Sequence, residues 1–236
     1  MRKAALFSLV LAATPAAATA GKPPVLVELF TAQGCGSCVD ANAHINKLAE
    51  RPGVLALTFS VDYWDYLGWA DTFARPEYAE RQRAYVTRLK LREPYTPQVV
   101  IDGREEAQGV KVAEVDRLIR AAADEPRNPP DISFIGTGRV DVGSGRAGRG
   151  GAEVWLIRYD PREVEVTIRA GDNRGETVTQ RNVVRQIDRL GTWRGRPQAY
   201  RVPKPVEEGL KTVVVVQQPG GGRVIGLAQA RDPNRS

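Results

Sequence analysis

The sequence predicts an α/β domain followed by an all-β, sandwich-like C-terminal subdomain. Three observations carry this. Two short apolar runs flank a helical pattern near the N-terminus, the pattern changes to two-residue alternation after Pro129-Pro130, and the charge balance reverses at the same place. Residues 21–127 hold 14 Lys plus Arg against 16 Asp plus Glu, whereas residues 128–236 hold 18 against 12, so the halves carry net charges of −2 and +6.

Residues 1–20 read as a signal peptide. Arg2 and Lys3 precede an apolar run from Ala4 to Ala13, and Ala18-Thr19-Ala20 is a small-residue cleavage signal, which places cleavage after Ala20 and the mature chain in the periplasm or outside the cell. The run is shorter than the roughly 18 to 20 apolar residues a membrane helix needs, and no later stretch reaches that length, so no membrane insertion of the mature form is expected. The remaining chain is long enough for two domains, 21–127 and 128–236.

Within the first, Val25 to Phe30 is a continuous apolar run, the mark of a strand buried on both faces. Residues 37–51 place Ala41, Ile45, Leu48 and Ala49 on one helical stripe, which Pro52-Gly53 ends. Val54 to Val61 is the second strand, parallel to the first through a right-handed crossover. Pro76 opens a helix over Glu77 to Lys90 with Tyr78, Tyr85 and Leu89 on one face. Gln98 to Ile101 runs through Asp102-Gly103 into the partner Glu105 to Gln108, and Val112, Val115, Leu118 and Ile119 mark a last helix. From Val154 onward, alternating segments separated by turns such as Asp172-Asn173-Arg174-Gly175 suggest seven or eight short strands.

The charge of the second half does not point to nucleic acid, because its arginines are scattered among acids and strand residues. The glycine-rich stretch from Gly143 to Gly151 lacks the strand-to-helix setting of a phosphate-binding loop, and no small-molecule cofactor is expected.

The chemistry concentrates in Cys35-Gly36-Ser37-Cys38, which holds the only two cysteines of the chain at a strand-to-helix junction. A helix N-terminus carries unpaired N–H groups and about half a positive charge, so a thiolate there is stabilised. Cys35 is then the nucleophile, and Cys38, one turn on, resolves the mixed disulfide. A structural bond is the competing reading, but a two-residue spacer closes so small a loop that the bond stabilises the fold little. Metal is a second competitor, with the thiolates joined by His44, the sole histidine. His44 lies six residues beyond Cys38 and nearly two helical turns away, facing solvent, so no metal site is assigned. The segment Asp62 to Trp69 follows directly from the second strand, whose C-terminal end lies on the cysteine side. Tyr63, Trp64, Tyr66 and Trp69 there are candidates for the floor of a substrate groove, with Asp62 and Asp65 adjusting its charge.

Val25 to Phe30, the CxxC at the following helix start, and Thr96-Pro97 ahead of Gln98 to Gly103 resemble the landmarks of the thioredoxin superfamily. The resemblance implies a thioredoxin-like first domain, a cis-proline at Pro97 against the cysteines, and Thr96 offering its backbone to an extended substrate. Glu28 is close to where thioredoxins carry a buried acid under the second cysteine, which implies a proton relay.

Glu28-Leu29-Phe30-Thr31 through Cys38, Val61 to Trp69, Tyr95-Thr96-Pro97-Gln98, Asp172-Asn173-Arg174-Gly175, Asn182-Val183-Val184-Arg185 and Leu190-Gly191-Thr192-Trp193 further resemble an uncharacterised secreted bacterial family, domain of unknown function 1223. Members often carry two prolines where this chain has Val39-Asp40, and a histidine where it has Ser60, a departure that weakens any metal role. The combined expectation is an exported thiol–disulfide oxidoreductase acting on protein thiols or disulfides, with Cys35, Cys38, Pro97 and Glu28 in the chemistry and Thr96, Tyr63, Trp64 and Trp69 on the substrate. The alternative is a periplasmic binding protein for copper or a protein partner, its cysteine pair non-catalytic.

Overall fold

The structure is a computed structural model that describes residues 22–231, so residues 1–20, where a signal peptide is expected, lie outside the described residues. Its elements are β1 (Val25–Thr31), α1 (Cys38–Leu48), β2 (Val54–Ser60), a 3₁₀ turn (Asp65–Leu67), α2 (Pro76–Arg88), β3 (Gln98–Ile101), β4 (Glu105–Gln108) and α3 (Val112–Asp124). Seven strands follow: β5 (Ile132–Ile135), β6 (Arg139–Val142), β7 (Ala152–Thr167), β8 (Thr177–Trp193), β9 (Gln198–Arg201), β10 (Lys211–Gln217) and β11 (Val224–Gln229). The β-α-β-α-β-β-α order expected of the first half is present. Among the described residues no helix is long and apolar enough to cross a membrane.

The architecture departs from the expected pair of units. One mixed eight-stranded sheet runs through the chain in the order β11-β10-β7-β8-β2-β1-β3-β4, and β5-β6-β9 form a small second sheet. Four strands of the C-terminal half, β7, β8, β10 and β11, extend the first sheet rather than making a sandwich of their own. The expectation of a thioredoxin-like α/β domain followed by an all-β subdomain is therefore overturned.

The physical reason lies in where the second half buries its side chains. In β10, Val213 and Val215 enter the core that holds Phe30, Phe59 and the α2 residues Tyr78 and Tyr85, while Val214 and Val216 enter another core with Trp193, Tyr200 and the small sheet. A strand buried on both faces must be internal to a larger sheet. Burying each of these valines contributes about 1.5 to 3 kcal/mol. A third core lies on the opposite face of β1, where Val25, Val27 and Leu29 pack against Ala41, Ile45 and Leu48 of α1 and Val115, Leu118 and Ile119 of α3.

The halves join where β8 pairs in parallel with β2 at Thr58 and Val183. The strand ladder is short here, and side chains reinforce it: Thr58 Oγ1 donates to the Arg181 carbonyl at 2.8 Å, and Asn182 Nδ2 donates to the Ala56 carbonyl at 2.8 Å. The far end of the sheet also curls back. Val224 N donates to the Asp102 carbonyl at 2.8 Å, so the β10–β11 turn meets the β3–β4 turn. Gly221, with φ +71°, lets that turn lie against α2, since a Cβ there would stand 2.9 Å from the Ala84 carbonyl carbon.

Candidate functional site

The pair Cys35–Cys38 is a disulfide with a Cα–Cα distance of 5.4 Å. β1 ends at Thr31, a turn carries the chain through Gly34, and Cys38 is the first residue of α1. Ser37 caps the helix without a side-chain hydrogen bond, so the site sits at an N-terminus with unpaired backbone donors. Gly36 and Ser37 are exposed, yet each cysteine is only 1% exposed.

Three of the sequence candidates meet at Cys35. The Thr96–Pro97 peptide bond is cis, and Thr96 Oγ1 donates to Cys35 Sγ at 3.3 Å. Trp64 Nε1 in turn donates to Thr96 Oγ1 at 2.7 Å, forming a chain from indole to hydroxyl to sulfur. Pro97 is buried beside α1: a Cβ built on Gly109 would stand 3.0 Å from Pro97 Cβ and 2.9 Å from Ala41 Cβ. Trp64 stacks on Tyr66, with ring centroids 6.4 Å apart, and Tyr66 is 78% exposed, so an aromatic surface opens beside the disulfide.

Other candidates turn elsewhere. Trp69 faces inward and donates from Nε1 to Gln33 Oε1 at 2.9 Å. The Tyr63 hydroxyl donates to Gln82 Oε1 at 3.2 Å, and burial pushes its pKa up to about 12. Glu28 is fully buried but has no hydrogen bond to either cysteine. Its carboxylate accepts from Arg81 Nε at 2.6 Å, from Arg81 Nη2 at 3.2 Å and from the Tyr85 hydroxyl. His44 is not the solvent-facing residue expected: its side chain is 11% exposed, Nε2 lies 3.7 Å from Asp116 Oδ1, and burial lowers its pKa. Among the described residues no group of three or more His, Cys, Asp and Glu side chains is arranged to hold a metal ion.

Three residues to which the sequence reading gave no role in the site complete it. Asn173, at the β7–β8 hairpin tip, donates from Nδ2 to the carbonyls of Gln33 at 2.8 Å and Cys35 at 2.9 Å. Gln33 donates its backbone N–H to Asp71 Oδ2 at 2.7 Å and its side-chain amide to Thr72 Oγ1 at 2.8 Å. Asp71 thus ties the aromatic loop to the turn that leads into Cys35. Burial pushes its pKa up to about 6, while its bonds from Gln33 and Phe73 pull the other way. The turn Asp172 to Gly175 was visible as a turn, but nothing local to it indicates what it touches.

The family model for "Protein of unknown function (DUF1223)" matches residues 26–217. Among solved structures, the fold is similar to an X-ray crystal structure of a protein from Agrobacterium tumefaciens, with 28% identity and a TM-score of 0.74 over 92% of this chain and 98% of that one. It is also similar to HBP35 of Porphyromonas gingivalis, with 13% identity and a TM-score of 0.60 over 91% of this chain and 78% of that one, a likeness of fold alone. No curated protein matches the sequence. With the family model spanning most of its length, from the second residue of β1 to the end of β10, the chain belongs to the DUF1223 family of proteins of unknown function.

Proposed function

We propose that the chain is an exported thiol–disulfide exchange protein that acts on protein thiols or disulfides through Cys35 and Cys38. One observation carries this: the disulfide bridges the residues on either side of a helix start, with a hydroxyl donor, Thr96, aimed at the sulfur of Cys35. A hydrogen bond to sulfur favours the thiolate once the bond is reduced, and the α1 N-terminus adds to it. The leader-like residues 1–20 and the presence of a disulfide both fit an oxidising compartment.

In the oxidising direction, a substrate thiolate attacks Cys35 Sγ, the Cys35–Cys38 bond breaks and the electron pair leaves on Cys38 Sγ. A second substrate thiolate then displaces Cys35, so the substrate is oxidised by two electrons and the pair becomes a dithiol. Reduction of a substrate disulfide is the reverse. Trp64 and Tyr66 supply the surface beside Cys35 on which an extended segment would rest. Glu28, held by Arg81 and Tyr85, ties α2 to the sheet.

The reduction potential of the pair tests this. A value between about −120 and −270 mV is expected, the range of exchange catalysts, and Cys38→Ser protein should trap mixed disulfides on Cys35. One observation favours a second reading, that the bond is structural: both sulfurs are buried. A potential below about −300 mV would establish that reading instead.

A narrower prediction concerns Thr96. Thr96→Val keeps the shape and removes the donor to Cys35, so the thiol pKa of Cys35 in reduced protein should rise by about one unit, the scale of a lost hydrogen bond to a charged group. Thiolate absorbance against pH measures it, and an unchanged midpoint would remove Thr96 from the chemistry.

A further inference from the structure

Asn173 is separated from Cys35 by 138 positions in sequence, and the two meet because β8 lies beside β2. The β7–β8 tip occupies the gap between the cysteine turn and the aromatic loop. A Cβ built on Gly171 would stand 3.6 Å from the Gly34 Cα and 3.7 Å from the Leu67 Cβ. One on Gly36 would stand 3.5 Å from the Asp172 Cβ, and one on Gly68 would stand 3.9 Å from the Ala170 Cβ. Asn173, itself 4% exposed, fastens the tip with its two donated hydrogen bonds.

We propose that this tip is a latch over the disulfide, which must lift before a thiolate can reach Cys35 Sγ. Attack requires the incoming sulfur to line up with the S–S bond, and at 1% exposure neither sulfur offers that approach. The Trp64–Thr96 pair lies against Cys35 Sγ, and the tip packs on the Gly34 and Gly36 backbone that flanks Cys35.

The tip is built to move as a small unit. Its base is fixed by Ile168, which is buried and exchanges hydrogen bonds with Gly175 and Glu176, and by the long β7–β8 ladder behind it. Between Gly171 (φ +78°) and Gly175 (φ +89°), only Asn173 is buried, while Arg174 is exposed. The two glycines give the backbone conformations that an L side chain resists, so the segment can hinge without disturbing the strands. When the tip lifts, the Gln33 and Cys35 carbonyls pass from Asn173 to water, which keeps the open state accessible.

The latch regulates the site of the exchange reading, and its test stands apart from that reading. Two variants are needed: Asn173→Ala, and replacement of residues 171–175 by a two-residue Asn-Gly turn. The second removes the cover and leaves the carbonyls in water, so the fold persists even if the first variant is too unstable to study. Reduction by dithiothreitol, followed by alkylation and mass spectrometry, should be about thirtyfold faster in Asn173→Ala, the change in an opening equilibrium that corresponds to its two buried hydrogen bonds, and at least as much faster in the tip-replaced variant. The equilibrium constant for reduction should stay at the wild-type value. Unaltered reduction rates in a folded tip-replaced variant would overturn the latch. So would a faster rate matched by an equal change in that equilibrium constant, because the tip would then stabilise the bond rather than shield it. If the wild-type potential marks the bond as structural, faster reduction in the variants still reports a lifted cover.

Discussion

Arg81→Met should destabilise the protein by about 3 to 5 kcal/mol, a large share of the roughly 5 to 15 kcal/mol by which a domain is stable. Glu28 is fully buried on β1, and the Arg81 side chain is 6% exposed. Arg81 also donates to the Tyr85 hydroxyl at 2.9 Å and to Gln217 Oε1 at 3.2 Å, which links α2 to β10 across the core. Its guanidinium lies over Phe59, Tyr85 and Trp155, with the carbon 5.3 to 5.8 Å from the ring centroids. Burial alone would lower its pKa, but Glu28 and Tyr85 outweigh burial and raise it above the ordinary arginine value. Removing the cation strands a carboxylate in the core. Replacing both partners, as Glu28→Leu with Arg81→Met, removes charge and counter-charge together and should recover most of the loss. Denaturant unfolding of the two single variants and the double variant measures the coupling, and additive losses would contradict a buried pair.

A further variant at Glu28 separates stability from chemistry. Since Glu28 touches neither sulfur, Glu28→Gln should leave the pH dependence of the reduction potential unchanged while lowering stability. A proton relay through Glu28 would instead alter the slope of potential against pH near neutrality.

The Glu28–Arg81 pair also marks how far the sequence could be read. The helical stripe of α2 was assigned from Tyr78 and Tyr85. Arg81 lies three residues after the first and four before the second, so it shares their buried face. An arginine in an apolar stripe calls for a buried acid across from it, and Glu28 stands alone in an apolar strand. Both halves of the pair were visible, yet their pairing depended on α2 packing on the β1 face that carries Leu26, Glu28 and Phe30. The helix and strand order was legible for a similar local reason, because periodicity and turn residues act within a few positions.

The single sheet was not legible in that way. β8 joins β2 through one paired position and the side chains of Thr58 and Asn182, and no periodicity in either strand encodes its neighbour. The one available signal was the four-valine run from Val213 to Val216, whose burial on both faces is incompatible with an outer layer of a small sandwich. The latch was hidden by the same contact, since Asn173 reaches Cys35 only after the two halves share a sheet.

The last prediction concerns Asp71 and the direction in which pH acts. Burial raises its folded pKa to about 6, well above the roughly 3.9 of an unfolded aspartate. Between those values the native state holds more protons than the unfolded state, so unfolding free energy falls as pH rises from about 4 to about 6 and is level above that. A shift of two units corresponds to about 3 kcal/mol, or roughly 6 to 12 °C in melting temperature for a chain of this size. His44 works in the opposite sense. Its pKa is lowered by burial, so it contributes stability that is lost as pH falls below the unfolded histidine value. The informative quantity is therefore the difference between wild type and Asp71→Asn across pH 4 to 8. The amide cannot ionise, so wild type should lose stability relative to the variant as pH rises from about 4 to about 6, with no further change above that. Parallel curves would show that Asp71 is already ionised in the folded protein at low pH. The tie to the Gln33 N–H would then be a charge-assisted bond, favoured by the carboxylate rather than weakened by its burial.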